Sequence, residues 1–180
     1  MAKQTELPFY SKLLSLRDQL RKVGHRLVLA ESCTSGLVAA EIGQIPGISE
    51  FFCGSMVVYR TPTKTAWLGI DEHLLSDPAI GPVSHQVTER LLHAVLSQTP
   101  EATIAAAITG HLGPNAPRGL DGQVYCGVLV KNIDDRATIL SYRLRSPEPT
   151  DSDDLSARRL RQSEAAALLI DMILDVLSGS

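Results

Sequence analysis

Three short segments carry residue types that could do chemistry. The first is Ala30-Glu31-Ser32-Cys33-Thr34-Ser35-Gly36. These small polar residues lie between a short apolar run and a fresh helical pattern, so they form a strand-to-helix turn. Such a turn gathers backbone N–H groups at the carboxyl edge of a sheet, where they suit a phosphate or a developing oxyanion. Ser32 stands at the mouth of that cluster, the place for a nucleophile. The plainer role is that Ser32, Thr34 or Ser35 caps the following helix, and spacing alone favours it.

The second segment joins Tyr59 to Lys64. A serine hydroxyl is a poor nucleophile until a base takes its proton. Histidine is the usual base, yet no GxSxG elbow is present. The five histidines, His25, His73, His85, His93 and His111, form no triad pattern. Lysine can serve instead when burial leaves it neutral. Lys64 lies beside Ala66, Trp67 and Leu68, which favours partial burial; a solvated surface lysine is the alternative.

The third segment is Thr109-Gly110-His111-Leu112-Gly113-Pro114. It follows an apolar strand and so emerges at the same sheet edge, where ligands collect in open α/β folds. Its glycines let a ligand approach the backbone, or they make an ordinary Gly/Pro turn. Cys33 is a second candidate nucleophile, because helix N-termini lower thiol pKa, against an inert buried thiol. His111 could act as a ligand or an acid. Arg158, Arg159 and Arg161 form a solvated helix face or supply a cation to an anionic substrate.

The elements that must position these residues are legible from periodicity. Residues 1–8 read as a loose arm. Leu13, Leu16, Leu20 and Val23 recur at helical spacing over Tyr10–Val23, and Gly24 ends the pattern. Residues 26–30 read as a buried strand, 51–59 as a second strand with Gly54 at a bulge, and 102–109 as a third. Pro62 fits the first turn of a short helix carrying Lys64 to Leu68. Residues 71–83 read as a loop. Ser84 reads as the N-cap of a helix through Leu96. Residues 123–131 and 136–144 read as strands joined in a hairpin by 132–135. A closing helix spans about 153–177, with Asp151, Asp153 and Asp154 at its positive end. Strands interleaved with helices predict a three-layer α/β/α domain over 1–180, with a mixed, mainly parallel sheet.

Composition narrows the function classes. A net charge of −3 and a pI near 5.9 argue against a nucleic-acid binder. The three cysteines, Cys33, Cys53 and Cys126, form neither CxxC nor a Cys/His zinc spacing, so reduced thiols are expected and no metal or cofactor is implied. No run approaches the ~18 apolar residues of a membrane span, and the start lacks the apolar core of a signal peptide. A cytoplasmic protein is expected, with a homodimer as the default assembly.

AESCTSG, VVYRTPTKTAWLGI, GPVSHQVTERLLHAV and ITGHLGP, in this order and at these spacings, resemble the C-terminal domain of the competence/damage-inducible protein CinA. The resemblance covers roughly residues 8 to 177. It implies an amidase that hydrolyses the carboxamide of nicotinamide mononucleotide to nicotinic acid mononucleotide and ammonia. It implies Ser32 as nucleophile and Lys64 as base, with no metal. Glu31, Cys33, Thr34, Ser35, Gly36, Tyr59, Thr61, Thr109, Gly110, Gly113 and Arg161 are then the expected substrate-binding positions, with the phosphate held by loop amides and an arginine such as Arg118 or Arg161.

The chain departs from the family pattern in three places. Ser35 replaces the first glycine of the Ala-Glu-Ser-Cys-Thr-Gly-Gly motif, where a side chain restricts the backbone. Arg60 and Thr61 stand for the serine and asparagine of Tyr-Ser-Asn. Gly110–Pro117 (GHLGPNAP) replaces Gly-Ile-Ala-Gly-Pro-x-Gly-Gly. The altered loop keeps a rival open, the same fold holding a nucleotide without turnover; the family name alone suggests a second, a partner protein or damage-response regulator.

Overall fold

Two segments are apolar at nearly every position, and they become the centre of the sheet. In the computed structural model, which describes residues 7–131, 136–151 and 154–179, these are β1 (Leu27–Glu31) and β3 (Ile104–Gly110). All of β1 and six of the seven residues of β3 are buried, as strands covered on both faces must be. The full order is α1 (Leu7–Val23), β1, α2 (Leu37–Gly43), a 3-10 turn (Ile48–Glu50), β2 (Phe52–Val57), α3 (Thr61–Leu68), α4 (Glu72–Ser76), α5 (His85–Gln98), β3, β4 (Gln123–Val130), β5 (Thr138–Arg143) and α6 (Leu155–Ser178).

The strands lie in the order β2-β1-β3-β4-β5. β1 pairs in parallel with β2 and β3; β4 turns back on β3, and β5 on β4. Four of the five strands therefore share one direction, and the mixed, mainly parallel sheet stands as expected. The register of β1 on β2 slips at Cys53, and Gly54 takes φ 134°, the expected bulge. β5, at one edge, is largely exposed, with only Ile139 and Tyr142 half-buried.

Each face of the sheet carries its own aliphatic core. Leu13, Leu16, Leu20, Val38, Ile42, Leu169, Ile170 and Ile173, from α1, α2 and α6, close over Leu27, Leu29, Ile104 and Ile108. Leu68, Leu75, Val87, Leu91, Leu92 and Val95, from α3, α4 and α5, close over Val28, Ala30, Ala105 and Ala107. This is the α/β/α sandwich. Alternation along β3 assigns even positions to the first core and odd positions to the second.

The chain leaves β1 toward β2 and leaves β3 toward β4, in opposite directions across the sheet. A crevice must open outside the carboxyl ends of β1 and β3, where such connections diverge. Ser32 follows β1, and His111 follows β3.

Several boundaries differ from the sequence reading. α1 begins at Leu7, so the last two residues of the expected loose arm are helical; residues 1–6 lie outside the described residues. α4 occupies part of the expected 71–83 loop, because Asp71 accepts the His73 N–H at 2.8 Å and caps a short turn. The hairpin turn 132–135 and Asp153 lie outside the described residues. Ser84 caps α5 as expected, its Oγ accepting the Val87 N–H at 3.2 Å. Asp154 caps α6 through the Ala157 N–H.

Candidate active site

The β1–α2 turn is organised by a carboxylate. Glu31, the last residue of β1, is fully buried. Its Oε2 accepts from the Thr34 hydroxyl at 2.8 Å and from the amides of Gly36 and Val38 at 3.0 and 3.1 Å. Its Oε1 accepts from the Ala39 amide at 2.9 Å and the Ser55 hydroxyl at 3.0 Å. Five donors converge on one buried acceptor, and three of them are the orphan N–H groups that open α2. No serine or threonine caps this helix: its N-cap is Gly36, φ 91°, with no side-chain cap bond.

This corrects two expectations. Ser32, Thr34 and Ser35 are not the cap of α2. Nor are the amides of Gly36, Val38 and Ala39 available to a phosphate, because Glu31 already occupies the positive end of the helix. The amides of Cys33 and Thr34 differ. Among the described residues, no hydrogen bond to another residue takes either one. They remain as donors at the turn.

Lys64 comes to Ser32 from the opposite side. α3 starts at Thr61 with Pro62 in its first turn, and Lys64, one turn in, points back under the ends of β1 and β2. The side chain is only 2 % exposed. Its Nζ lies 2.9 Å from Ser32 Oγ, 2.8 Å from the Val58 carbonyl and 3.5 Å from the Tyr59 carbonyl. Burial draws the ammonium down from 10.5 to about 8, with Cys33 pulling the other way. When the amine is neutral its two protons can stay on the two carbonyls, which leaves the lone pair for the Ser32 O–H.

Ser32, Cys33, Tyr59, Thr61, Lys64, Pro82, Val83, Gly110, His111 and Arg158 line a cleft of about 220 Å³. A second cleft of about 160 Å³ adjoins it over the Gly110–Ala116 loop and shares Gly110, His111 and Arg158 with the first. Gly110 has to be glycine here: a Cβ would come within 2.9 Å of both Cys33 Sγ and Val124 Cγ2. Cys33 lines the cleft, but burial pushes its thiol up to about 12, so it stays protonated and a weak rival to Ser32.

The remaining candidates divide. Thr61 and Tyr59 reach the first cleft, and Gly113, φ 65°, reaches the second. Thr109 is fully buried, and its hydroxyl meets Thr88 Oγ1 at 2.9 Å in the seam between β3 and α5, behind the cleft. Ser35 adopts φ 55° in the turn and lines neither cleft. Arg161 is spent on structure. Its guanidinium grips Asp121 through two bonds of 2.7 and 2.8 Å, and its Nε donates to the Pro147 carbonyl at 2.9 Å. Arg158, one turn earlier on α6, faces both clefts instead. It donates to Tyr59 Oη at 2.8 Å and to the Gly113 carbonyl. Pro82 and Val83 were not among the expected site residues; the signal for them was the GPVS run just ahead of the Ser84 cap. Among the described residues no group of three or more His, Cys, Asp or Glu side chains is arranged to hold a metal ion, and no helix is long and apolar enough to cross a membrane.

The sequence profile described as the CinA C-terminal domain matches residues 11–148. A CinA-like protein of Myxococcus xanthus is 33 % identical over 126 residues, covering 69 % of this chain and 29 % of that protein. A CinA-like protein of Mycobacterium tuberculosis is 35 % identical over 159 residues, covering 87 % and 34 %. The chain thus spans about a third of the length of these curated relatives. Among solved structures, a CinA superfamily protein from Klebsiella pneumoniae superposes with a TM-score of 0.82 at 20 % identity, covering 95 % of this chain and 98 % of that one. A competence/damage inducible protein from Agrobacterium tumefaciens superposes at 0.77 and 23 % identity, covering 94 % of each. At these identities the structural likeness speaks for the fold.

Proposed function

The chain belongs to the CinA C-terminal domain family, and from that premise we propose that it is an amidohydrolase that removes ammonia from the carboxamide of nicotinamide mononucleotide through a Ser32–Lys64 dyad. One observation carries the reading: a buried lysine amine, its pKa drawn down to about 8, stands 2.9 Å from a serine hydroxyl in a cleft. An ordinary structural lysine would be charged and solvated or paired with a carboxylate. Among the described residues no carboxylate pairs with Lys64.

The proposed steps use this geometry. Neutral Lys64 takes the Ser32 proton as Oγ attacks the amide carbon. The carbonyl oxygen gains the charge and accepts from the amides of Cys33 and Thr34, donors of a kind often contributing about 3 kcal/mol each. As the tetrahedral adduct collapses, the C–N bond breaks and Lys64 returns its proton to the departing nitrogen, releasing ammonia. Water then attacks the acyl ester on Ser32 as Lys64 accepts its proton; the bond from the acyl carbon to Ser32 Oγ breaks, Lys64 returns that proton to Oγ, and the acid leaves, ionising to the carboxylate. Arg158 is the cation on hand for the substrate phosphate, since Arg161 is engaged by Asp121.

Ammonia release from nicotinamide mononucleotide by the wild type, Ser32→Ala and Lys64→Ala tests the proposal. Each variant is expected to lose activity by at least about a thousandfold while keeping its melting temperature within a few degrees. Full activity in Ser32→Ala would exclude it as the nucleophile. Calorimetric binding of the nucleotide by a wild type that releases no ammonia would favour a binding protein, the rival that the altered Gly110–Pro117 loop raises.

A further inference from the structure

His111 stands where the two clefts meet. It lines the first with Ser32 and Lys64, and the second with the Gly110–Ala116 loop; Arg158 faces both. Its backbone is fixed. The His111 N–H donates to the Gln123 carbonyl and its own carbonyl accepts from Gly122, each at 2.9 Å, which extends the β3–β4 ladder by one residue. Strand alternation then sends its side chain to the odd-numbered side of the sheet, the side of α5, where Pro82 and Val83 close the first cleft. Among the described residues, no hydrogen bond holds the imidazole ring. The ring is half-buried, and burial holds it below its ordinary pKa against the pull of Asp121. At neutral pH it therefore offers one donor and one acceptor. Lys64 on α3, Arg158 on α6 and Asp121 on the loop before β4 are the charged groups about it.

We propose that His111 is a specificity-determining residue, whose imidazole contacts a hydroxylated linker joining the amide-bearing ring beside Ser32 to an anionic group beneath Arg158. The inference rests on the amidase reading and deepens it. The first cleft holds the nucleophile and base, and the loop cleft holds backbone groups and the shared arginine. A ligand that uses both must pass its middle segment by His111. A hydroxyl is donor and acceptor at once, as a neutral imidazole is, so a sugar fits this junction better than an apolar or charged linker does.

The test is steady-state kinetics with nicotinamide mononucleotide on His111→Ala and His111→Gln, the latter keeping a donor and an acceptor. KM is expected to rise about tenfold in His111→Ala with kcat falling less than about threefold, and His111→Gln to bring KM back to within about threefold of wild type. An unchanged KM, or a loss confined to kcat, overturns the proposal. Calorimetry on Ser32→Ala and on Ser32→Ala/His111→Ala reads the same contact without turnover. There the nucleotide Kd should weaken about tenfold in the double variant, and equal values overturn the proposal. Hydrolysis or binding that ignores His111 removes this inference alone. A wild type that neither hydrolyses nor binds the nucleotide removes the amidase reading with it.

Discussion

Lys64 is set apart from an ordinary lysine by what surrounds it. A buried ammonium with only a hydroxyl and two carbonyls for partners is poorly compensated, so the neutral form gains. With the pKa near 8, roughly a quarter of the molecules carry a free amine at pH 7.5. The sign of the pH dependence follows. The productive form is the deprotonated one, so kcat/KM for the amide should climb about tenfold per pH unit below pH 8 and level off above it. A pH–rate profile falling toward alkaline pH across 7 to 8 would contradict the assignment of Lys64 as base. The same shift bears on stability. The unfolded chain binds the lysine proton up to its ordinary pKa of 10.5, and the folded chain releases it near 8. This group's burden of about 3 kcal/mol is full below pH 8 and is relieved as pH rises toward 10.5. At the scale of single residues, the serine and lysine were readable from their motifs. Their contact was not, because thirty-two positions separate them and only the parallel pairing of β1 with β2 brings their segments together.

The β1–α2 turn is the element on which the site depends. Glu31 anchors it from inside, ties it to Ser55 on β2, and frees the amides of Cys33 and Thr34. Sequence reading placed the turn, with Ser32 in it, but gave the cap to a hydroxyl. Capping motifs are sought at the residue just before the helix or three residues into it, whereas Glu31 is the end of a strand, reaching forward over a folded turn. Ser35 shows the opposite effect. It holds φ 55°, a conformation that costs an L-residue about 1 kcal/mol or more, and its family counterpart is glycine. Ser35→Gly should therefore stabilise the fold slightly. Relief of the strain outweighs the added freedom of the unfolded chain, for a gain of about 0.5 kcal/mol and a rise of about 1–2 °C in melting temperature. Thermal denaturation of the two proteins decides it, and a lower melting temperature in Ser35→Gly would mean that the Ser35 side chain contributes more than its backbone strain takes away.

At the scale of the whole molecule, topology chooses the place for chemistry. Connections that diverge from β1 and β3 open a crevice at their carboxyl ends, and each motif that looked chemical in the sequence arrives at or near that crevice: the turn after β1, the helix after β2 and the loop after β3. The layer order was legible because β1 and β3 are apolar at nearly every position while the helices keep a 3.6-residue period. The choice between Arg158 and Arg161 was not. Both lie in the same first turns of α6, and only Asp121, forty positions away from Arg161, decides which guanidinium is tied down and which is left facing the clefts. The most direct test of the account is mass spectrometry of enzyme acid-quenched during turnover of nicotinamide mononucleotide, with the modified residue located by fragmentation. A nicotinoyl-nucleotide ester on Ser32, absent from Ser32→Ala, is the predicted result; the acyl group on Cys33, or ammonia released through turnover that leaves no requirement for Ser32, would contradict it.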